Sequence, residues 1–389
     1  MIRSGMNMDK INGREKRERI FFAAVCAAGL AFYISQGFLY TWQALKLRRY
    51  FSDLYVYMDF IKSGKKLYSL AETFMGAAYA LCGEAGVGIL LALFAAASWL
   101  LAYKCLETII EEKPARALTL LAALMSQCAF SAYVAGRKFY KGLNLTVNNF
   151  HSPTYNMMEA FAIGAMLCAF VLLKNLRGRL DGKKLSCFAL CCTAATAIKP
   201  SFLFCMAPAL LMFLIIDFLL TLGRNLKNEV LLGVCVLPGV AAALYQSTML
   251  FDENSSIVFE PVLNWLTNSH GIIEGLPRAG VFALAVLLCY GYKYVKKHWF
   301  SFSYAVAAVG IGEYLALMET GDRAEHGNLA WSADIGLYFA LLAGIAVLLC
   351  ERKKAKDPRF IVCAALLLWQ VVSGIAYYVL VFEGNGFWF

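Results

Sequence analysis

The sequence is poor in charged residues. Only 16% of its 389 residues are charged, whereas 60% are hydrophobic, and the mean hydropathy is +0.61. This balance excludes a soluble globular enzyme and predicts an integral membrane protein. No zinc-finger spacing or basic helical stripe is present, so the formal charge of +10 predicts attraction to anionic membrane lipids and no nucleic-acid partner.

Long linkers, low-complexity tracts and aligned internal repeats are also missing, which predicts one membrane domain over residues 1–389. The 13 cysteines fall mostly in apolar stretches or near basic loops, so a disulfide framework is not expected. No two histidines stand one helical turn apart, as metal-binding pairs often do. We therefore predict no metal and no soluble cofactor, although a divalent ion remains an open alternative.

Eleven apolar stretches approach the ~20 residues that a helix needs to cross a membrane. They predict an all-α polytopic fold with about eleven transmembrane helices. Between two of these stretches stands Lys199-Pro200, which we interpret as a hairpin, with a kink in one long helix as the alternative. The predicted spans lie near residues 20–40, 85–103, 117–135, 156–173, 185–198, 202–222, 230–250, 280–295, 299–318, 335–350 and 360–381.

The distribution of basic residues predicts the orientation of these helices. Most of the 36 lysines and arginines cluster in every second gap between the apolar stretches. Under the positive-inside rule, those gaps are cytoplasmic, the N-terminus is inside and the C-terminus is outside. A kink at Lys199 would instead turn the basic loops near Lys293 and Arg352 outward, and this favours the hairpin.

The largest outer segment covers residues 41–84, where apolar residues recur at helical spacing with basic residues between them. This pattern predicts helices that lie in the membrane interface. Asp53 and Asp59 fall in this segment, and either carboxylate is a candidate general base for an acceptor hydroxyl. The alternative is a surface aspartate that caps or solvates a helix next to the membrane.

Lys199 is an isolated cation at the predicted outer side, where the positive-inside trend does not expect one. A fixed positive charge near the lipid headgroups is suited to binding a lipid-linked phosphate. The alternative is a lysine whose chain extends from a helix end to reach water.

Two further outer clusters carry polar groups. His151 and Tyr155 flank a predicted helix start, where they can hydrogen-bond a sugar or a phosphate. Arg323 can hold a phosphate with two donors, and His326 can exchange a proton near neutral pH, with Asn328 beside them. The alternative for this second cluster is a salt-bridged surface loop, in which neighbouring acids such as Glu319 neutralise the cations.

Three acidic residues fall inside or at the edge of predicted spans, where ionisable groups are usually functional. Glu159 and Glu313 stand near the outer ends of their spans and are candidates for lining the same cavity. Asp217 stands near an inner end and is expected to reach the surface.

As an architecture, the chain resembles the GT-C superfamily of multi-pass glycosyltransferases. The resemblance covers an inside N-terminus, about eleven spans, a large first outer loop with a membrane-proximal aspartate, and outer cations. It implies that Asp53 or Asp59 is the catalytic base, and that Lys199 and Arg323, with His326, hold the phosphate of a polyprenyl-phosphate-sugar donor. Many relatives carry adjacent acidic residues in that loop, and this chain has no such pair. The choice between the two aspartates and the metal requirement therefore stay open.

The expected function is transfer of a sugar from a polyprenyl-phosphate donor to a glycan, lipid or protein acceptor. The reaction would take place on the extracytoplasmic side of a bacterial plasma membrane. A transporter or a lipid or glycan flippase is the first alternative, but ionisable residues crowd one face and the odd number of spans disfavours two equal halves. A glycan polymerase or ligase is the second, although its large outer loop usually comes late in the chain.

Overall fold

The protein is an all-α integral membrane protein, and its computed structural model describes residues 5–50, 52–64, 69–138, 150–250, 256–264, 271–321 and 328–385. The helices are α1 (Gly5–Ala44), α2 (Leu54–Ser63), α3 (Leu70–Ile109), α4 (Arg116–Cys128), α5 (Pro153–Lys174), α6 (Gly182–Ile198), α7 (Ser201–Thr221), α8 (Leu226–Val234), α9 (Leu237–Leu250), α10 (Leu276–Tyr294), α11 (His298–Ala316), α12 (Ala330–Glu351) and α13 (Pro358–Phe382). Two short strands, β1 (Ile257–Phe259) and β2 (Leu317–Glu319), form an antiparallel pair.

Eight segments in the described part of the chain are long and apolar enough to cross a membrane. They are Glu15–Ala44, Leu70–Ile109, Pro153–Lys174, Ser201–Thr221, Leu226–Met249, Ile272–Tyr294, Ala330–Lys354 and Pro358–Phe382. The eleven predicted spans are therefore not confirmed. The predicted spans at 117–135, 185–198 and 299–318 correspond to α4, α6 and α11, which have 13, 17 and 19 residues. At ~1.5 Å per residue, α4 alone is too short for a hydrocarbon layer of ~30 Å.

The first predicted outer loop is largely helical. It contains α2 and the first part of α3, which begins with a capping box between Ser69 and Glu72. The helix α3 then breaks at Cys82 and Gly83, where the φ angle of +60° at Gly83 is one that glycine adopts readily. This break separates residues 70–81 from the rest of α3.

The chain reverses direction at Lys199 and Pro200. Helix α6 begins after the loop that follows α5 and ends at Ile198, next to Lys199, and α7 begins at Ser201. At the far end of α7, Asp217 accepts hydrogen bonds of 3.0 and 2.8 Å from Arg177, which lies in the loop where α6 started. Because α7 returns to that loop, the two helices form a hairpin, and the kinked-helix alternative does not describe them.

Ion pairs join the loops that the charge pattern assigns to the inner side. Glu111 pairs with Lys297 at 2.7 Å, and Glu112 pairs with Lys353 at 2.8 Å. Lys174, the last residue of α5, lies within electrostatic reach of Glu111. The connections after α3, α5, α10 and α12 therefore share one end of the helix bundle, which we call the basic end.

An extended segment follows α4 inside the bundle. The Ala132 N–H donates to the Arg278 carbonyl at 3.1 Å, and the Arg278 Nε donates back to the Ala132 carbonyl at 2.8 Å. The Tyr133 N–H donates to Ser373 Oγ at 3.0 Å, and Trp369 Nε1 donates to the Tyr133 carbonyl at 3.0 Å. Non-helical backbone is tolerated at membrane depth only where protein satisfies its polar groups. Helices α10 and α13 supply those partners and allow α4 to end early.

Gly374 on α13 lets this segment approach closely, because a Cβ atom there would stand 1.7 Å from the Cys128 carbonyl oxygen. We expect Gly374→Ala to lower the free energy of unfolding by ~1–3 kcal/mol through overpacking. The matched control is Gly312→Ala on α11, where an added Cβ meets nothing within 4 Å. Thermal unfolding of the purified variants in detergent makes the comparison, and equal melting temperatures would contradict this account of the close approach.

Candidate functional site

A cavity of about 130 Å³ opens at the end of the bundle opposite the basic end. It is enclosed by α2, α9, the β1–β2 pair and the α6–α7 turn, together with the first turn of α5 and the residues just before α3 and α12. Segments far apart in the sequence therefore meet there. Its polar lining consists of Tyr57, Ser69, Thr154, Lys199, Ser201, Gln246, Ser247, Glu319 and Asn328.

Lys199 is held in the cavity wall by aromatic side chains. Its ammonium nitrogen lies 4.5 Å from the centre of the Trp331 ring, a cation–π contact of a kind that contributes ~0.5–2 kcal/mol. The ring of Tyr155 packs against Trp331 with centroids 5.1 Å apart. Tyr155 is fully buried and is not part of the described cavity lining, so the structure places it behind Trp331.

Asp53 and His151 form a pair beside the cavity. The Asp53 N–H donates to the His151 carbonyl at 3.0 Å, and His151 Nε2 lies 3.2 Å from Asp53 Oδ1. Asp53 immediately precedes α2, but its side chain makes no capping hydrogen bond to that helix. The Tyr57 N–H, one turn later, approaches the Asp53 carbonyl at 3.4 Å, and its side chain lines the cavity. The carboxylate is thus directed to a histidine next to the cavity.

The protonation of His151 depends on its surroundings. Burial lowers the pKa of His151, the nearby ammonium of Lys199 lowers it further, and the carboxylate of Asp53 opposes both effects. Burial dominates because it disfavours the charged imidazolium. A neutral His151 at neutral pH can donate one ring N–H to the Asp53 carboxylate.

Asp59 lies elsewhere on α2. It forms an ion pair with Lys46, and its side chain is 61% exposed, compared with 43% for Asp53. Asp59 is not part of the described cavity lining. The two candidate bases therefore have different surroundings, and only Asp53 is paired with a residue at the start of α5.

Asn328 and Glu319 form a second polar pair in the lining. Asn328 Nδ2 donates to Glu319 Oε2 at 2.7 Å, and Glu319 is 6% exposed. Glu319 ends β2 and stands opposite Ile257 of β1, which also lines the cavity. The sequence pattern indicated Glu319 only as a charge partner for nearby cations. A three-residue strand pair has no strong sequence signal, so its place in the cavity was missed.

Other predicted site residues lie apart from the cavity or outside the described part. Arg323 and His326 fall outside the described residues. Glu159 is 2% exposed inside the bundle, and neither Glu159 nor Glu313 is part of the described lining. Within the described ranges, no group of three or more His, Cys, Asp or Glu side chains is arranged to hold a metal ion.

Comparison of the chain with protein-family models, with curated proteins and with solved structures finds no match. The resemblance to the GT-C superfamily therefore stays a prediction.

The lowered pKa of His151 predicts a pH-dependent stability. Between the folded-state pKa and the unfolded value of ~6.5, the unfolded chain binds a proton that the native protein does not. The contribution of His151 to the free energy of unfolding is therefore fully present above about pH 6.5. It is lost as the pH falls from that value through the folded-state pKa. When the pH is lowered from about 7.5 to about 5.5, we expect the melting temperature of His151→Gln to fall by less than that of the wild type.

The control for this experiment is His298→Gln, because His298 is exposed at the start of α11. It should keep the wild-type change of melting temperature with pH. An identical pH dependence in the wild type and His151→Gln would show that His151 does not contribute in this way.

Proposed function

We propose that the protein is a GT-C-like membrane glycosyltransferase that moves a sugar from a polyprenyl-phosphate donor to a glycan, lipid or protein acceptor. One observation carries the proposal. Lys199 lies in the wall of a cavity beside the Asp53–His151 pair, so a phosphate-binding cation and a candidate base share one end of the bundle. In glycosyl transfer from a lipid phosphate, a positioned base activates the acceptor hydroxyl and a fixed cation stabilises the departing phosphate.

We further propose that the basic end faces the cytoplasm and that the cavity faces the extracytoplasmic side of a bacterial plasma membrane. The positive-inside rule supports this orientation. The bundle also supports eleven crossings, because the three shorter helices lead from the basic end toward the opposite end. Helix α6 leads to Lys199, α11 leads to Glu319, and α4 continues as the extended segment held by α10 and α13. The N-terminus is then inside and the C-terminus outside.

In the proposed reaction, the Asp53 carboxylate takes the proton from an acceptor hydroxyl. The acceptor oxygen forms a bond to the anomeric carbon as the bond from that carbon to the phosphate oxygen breaks. The polyprenyl phosphate leaves with the electron pair of the broken bond, and the Lys199 ammonium stabilises its charge. Arg323 and His326 would add donors to the same phosphate, while the proton remains on Asp53 until product release. These residues supply the chemistry without a soluble cofactor.

His151 has a positioning role in this proposal. Its ring nitrogen at 3.2 Å from Asp53 Oδ1 holds one carboxylate oxygen and leaves the other for the acceptor. Because burial lowers the pKa of His151, the neutral ring can hold Asp53 without placing a full positive charge beside the carboxylate. The pair thus fixes the direction of the carboxylate.

We prefer Asp53 to Asp59 as the base, and exchanging each carboxyl tests this choice. Asp53→Asn is expected to reduce turnover by ~10²–10⁴-fold, the usual contribution of a positioned general base. Asp59→Asn is the matched control and should stay within about threefold, because Asp59 pairs with Lys46 on an exposed surface.

The assay follows release of polyprenyl phosphate by protein reconstituted in liposomes, with a panel of polyprenyl-phosphate hexoses and added glycan acceptors. Full activity of Asp53→Asn would remove Asp53 from the mechanism. Failure of the wild type to release polyprenyl phosphate from any donor in the panel would reject the proposed function.

Lys199 should control binding of the donor phosphate. We expect Lys199→Met to weaken the binding of polyprenyl phosphate at least ~10-fold, because a charge-assisted hydrogen bond to phosphate is lost. Lys46→Met removes a cation that pairs with Asp59 and serves as the control, with affinity unchanged. Microscale thermophoresis with polyprenyl phosphate in detergent measures both, and equal affinities would contradict the assignment of Lys199.

A further inference from the structure

A layer of buried polar side chains lies within the helix bundle, separate from the cavity lining. Gln36, Asn156, Glu159 and Tyr33 are 0%, 2%, 2% and 4% exposed, respectively. Among the described residues, five of their polar atoms have no hydrogen-bond partner: Tyr33 Oη, Gln36 Nε2 and Oε1, Asn156 Oδ1 and Glu159 Oε1. Buried polar atoms normally have a hydrogen-bond partner, so this concentration of atoms without one indicates a bound species.

The positions of these residues along α1 and α5 place them on neighbouring helical turns. Asn156 Nδ2 donates to the Tyr40 hydroxyl and so joins α5 to α1. Helix α5 runs from the cavity toward the basic end, and α1 runs in the opposite direction. One turn from that contact toward the basic end reaches Gln36 on α1 and Glu159 on α5. Tyr33 is on the next turn of α1 and lies within electrostatic reach of Glu159.

The layer contains one acidic side chain and no basic side chain. Glu159 accepts a hydrogen bond from Gln127, and no lysine, arginine or histidine among the described residues acts on its carboxyl. An ionised carboxylate at this depth requires a compensating positive charge. Four of the five atoms without a hydrogen-bond partner are oxygens, and small hard cations bind oxygen ligands.

We propose that this layer binds one small monovalent cation of the sodium type. The Glu159 carboxylate supplies the negative charge, and the Gln36 and Asn156 amide oxygens and the Tyr33 hydroxyl supply neutral ligands. A single carboxylate balances one positive charge, whereas calcium is held by several acidic groups and six to eight oxygens. The site does not depend on the proposed glycosyl transfer.

The position of the site gives the ion a structural consequence. Asn156 follows Tyr155, whose ring packs against Trp331, and Trp331 holds the Lys199 ammonium. An ion that joins α1 to α5 at Asn156 and Glu159 would therefore stabilise the helix that supports the cavity wall. Binding to the native state alone raises the melting temperature in a saturable manner.

The test measures thermal unfolding of the full-length protein in detergent at about pH 8, with sodium chloride replaced stepwise by N-methyl-D-glucamine chloride at constant ionic strength. We expect the melting temperature to rise and saturate with sodium. Glu159→Gln should abolish the rise, because the amide has nearly the same shape and no charge. Glu313→Gln is the matched control and should retain the rise, since Glu313 is a half-buried acid on α11 outside this layer.

A second variant keeps the test decisive if Glu159→Gln fails to fold. Asn156→Ala removes a neutral ligand and should raise the sodium concentration for half-maximal stabilisation at least ~10-fold. Radioactive sodium bound by the wild type should approach one ion per chain. No sodium dependence, or a sodium-dependent rise that persists in Glu159→Gln, would overturn the proposal. A pH-dependent change that requires Glu159 without any sodium effect would also overturn it, because the carboxyl would then bind a proton only.

Discussion

The reversal of the chain at Lys199 and Pro200 determines where the later polar segments lie. Because α6 and α7 form a hairpin, Lys199 stands at the cavity, while the far end of α7 returns to the loop where α6 began. A continuous helix would instead carry Ser201 away from Lys199. The same reversal places Ser201, Glu319 and Asn328 in the lining of one cavity. Helix α11 runs toward the cavity and α12 runs away from it.

The hydrocarbon environment explains where the polar groups that remain are found. Charged pairs join the loops at the basic end, and the cavity lining concentrates polar groups at the other end. Between the two ends, polar groups occur where protein surrounds them. Near the start of α10, Arg278 donates to the carbonyls of Ala132 and Lys138. The buried layer around Glu159 follows the same rule only if a bound species completes it.

Parts of this arrangement follow from sequence patterns, because hydropathy and charge act over short windows. The membrane class and the long helices are predicted by apolar length, and the clustering of Glu111 with Lys297 agrees with the predicted grouping of basic loops. The shortness of α4 was not predictable, because its extended continuation depends on partners far away on α10 and α13. The pairing of Asp53 with His151 likewise depends on tertiary contacts between the first and second outer segments.

Burial of individual residues was also beyond the sequence. Glu159 and Tyr155 stand near the predicted mouth of α5, yet the helix rotation turns both into the bundle. Glu319 reaches the cavity through a register with β1 that no local pattern specifies. Contacts between segments far apart in the sequence therefore determine which residues line the cavity and which support its wall.

The most direct test is an experimental structure with a non-hydrolysable polyprenyl-phosphate-sugar analogue bound. The account predicts the phosphate within ~4 Å of the Lys199 ammonium and the anomeric carbon turned toward the Asp53 carboxylate. An analogue bound at another surface, or one whose anomeric carbon faces away from Asp53 with Lys199 unengaged, would contradict it.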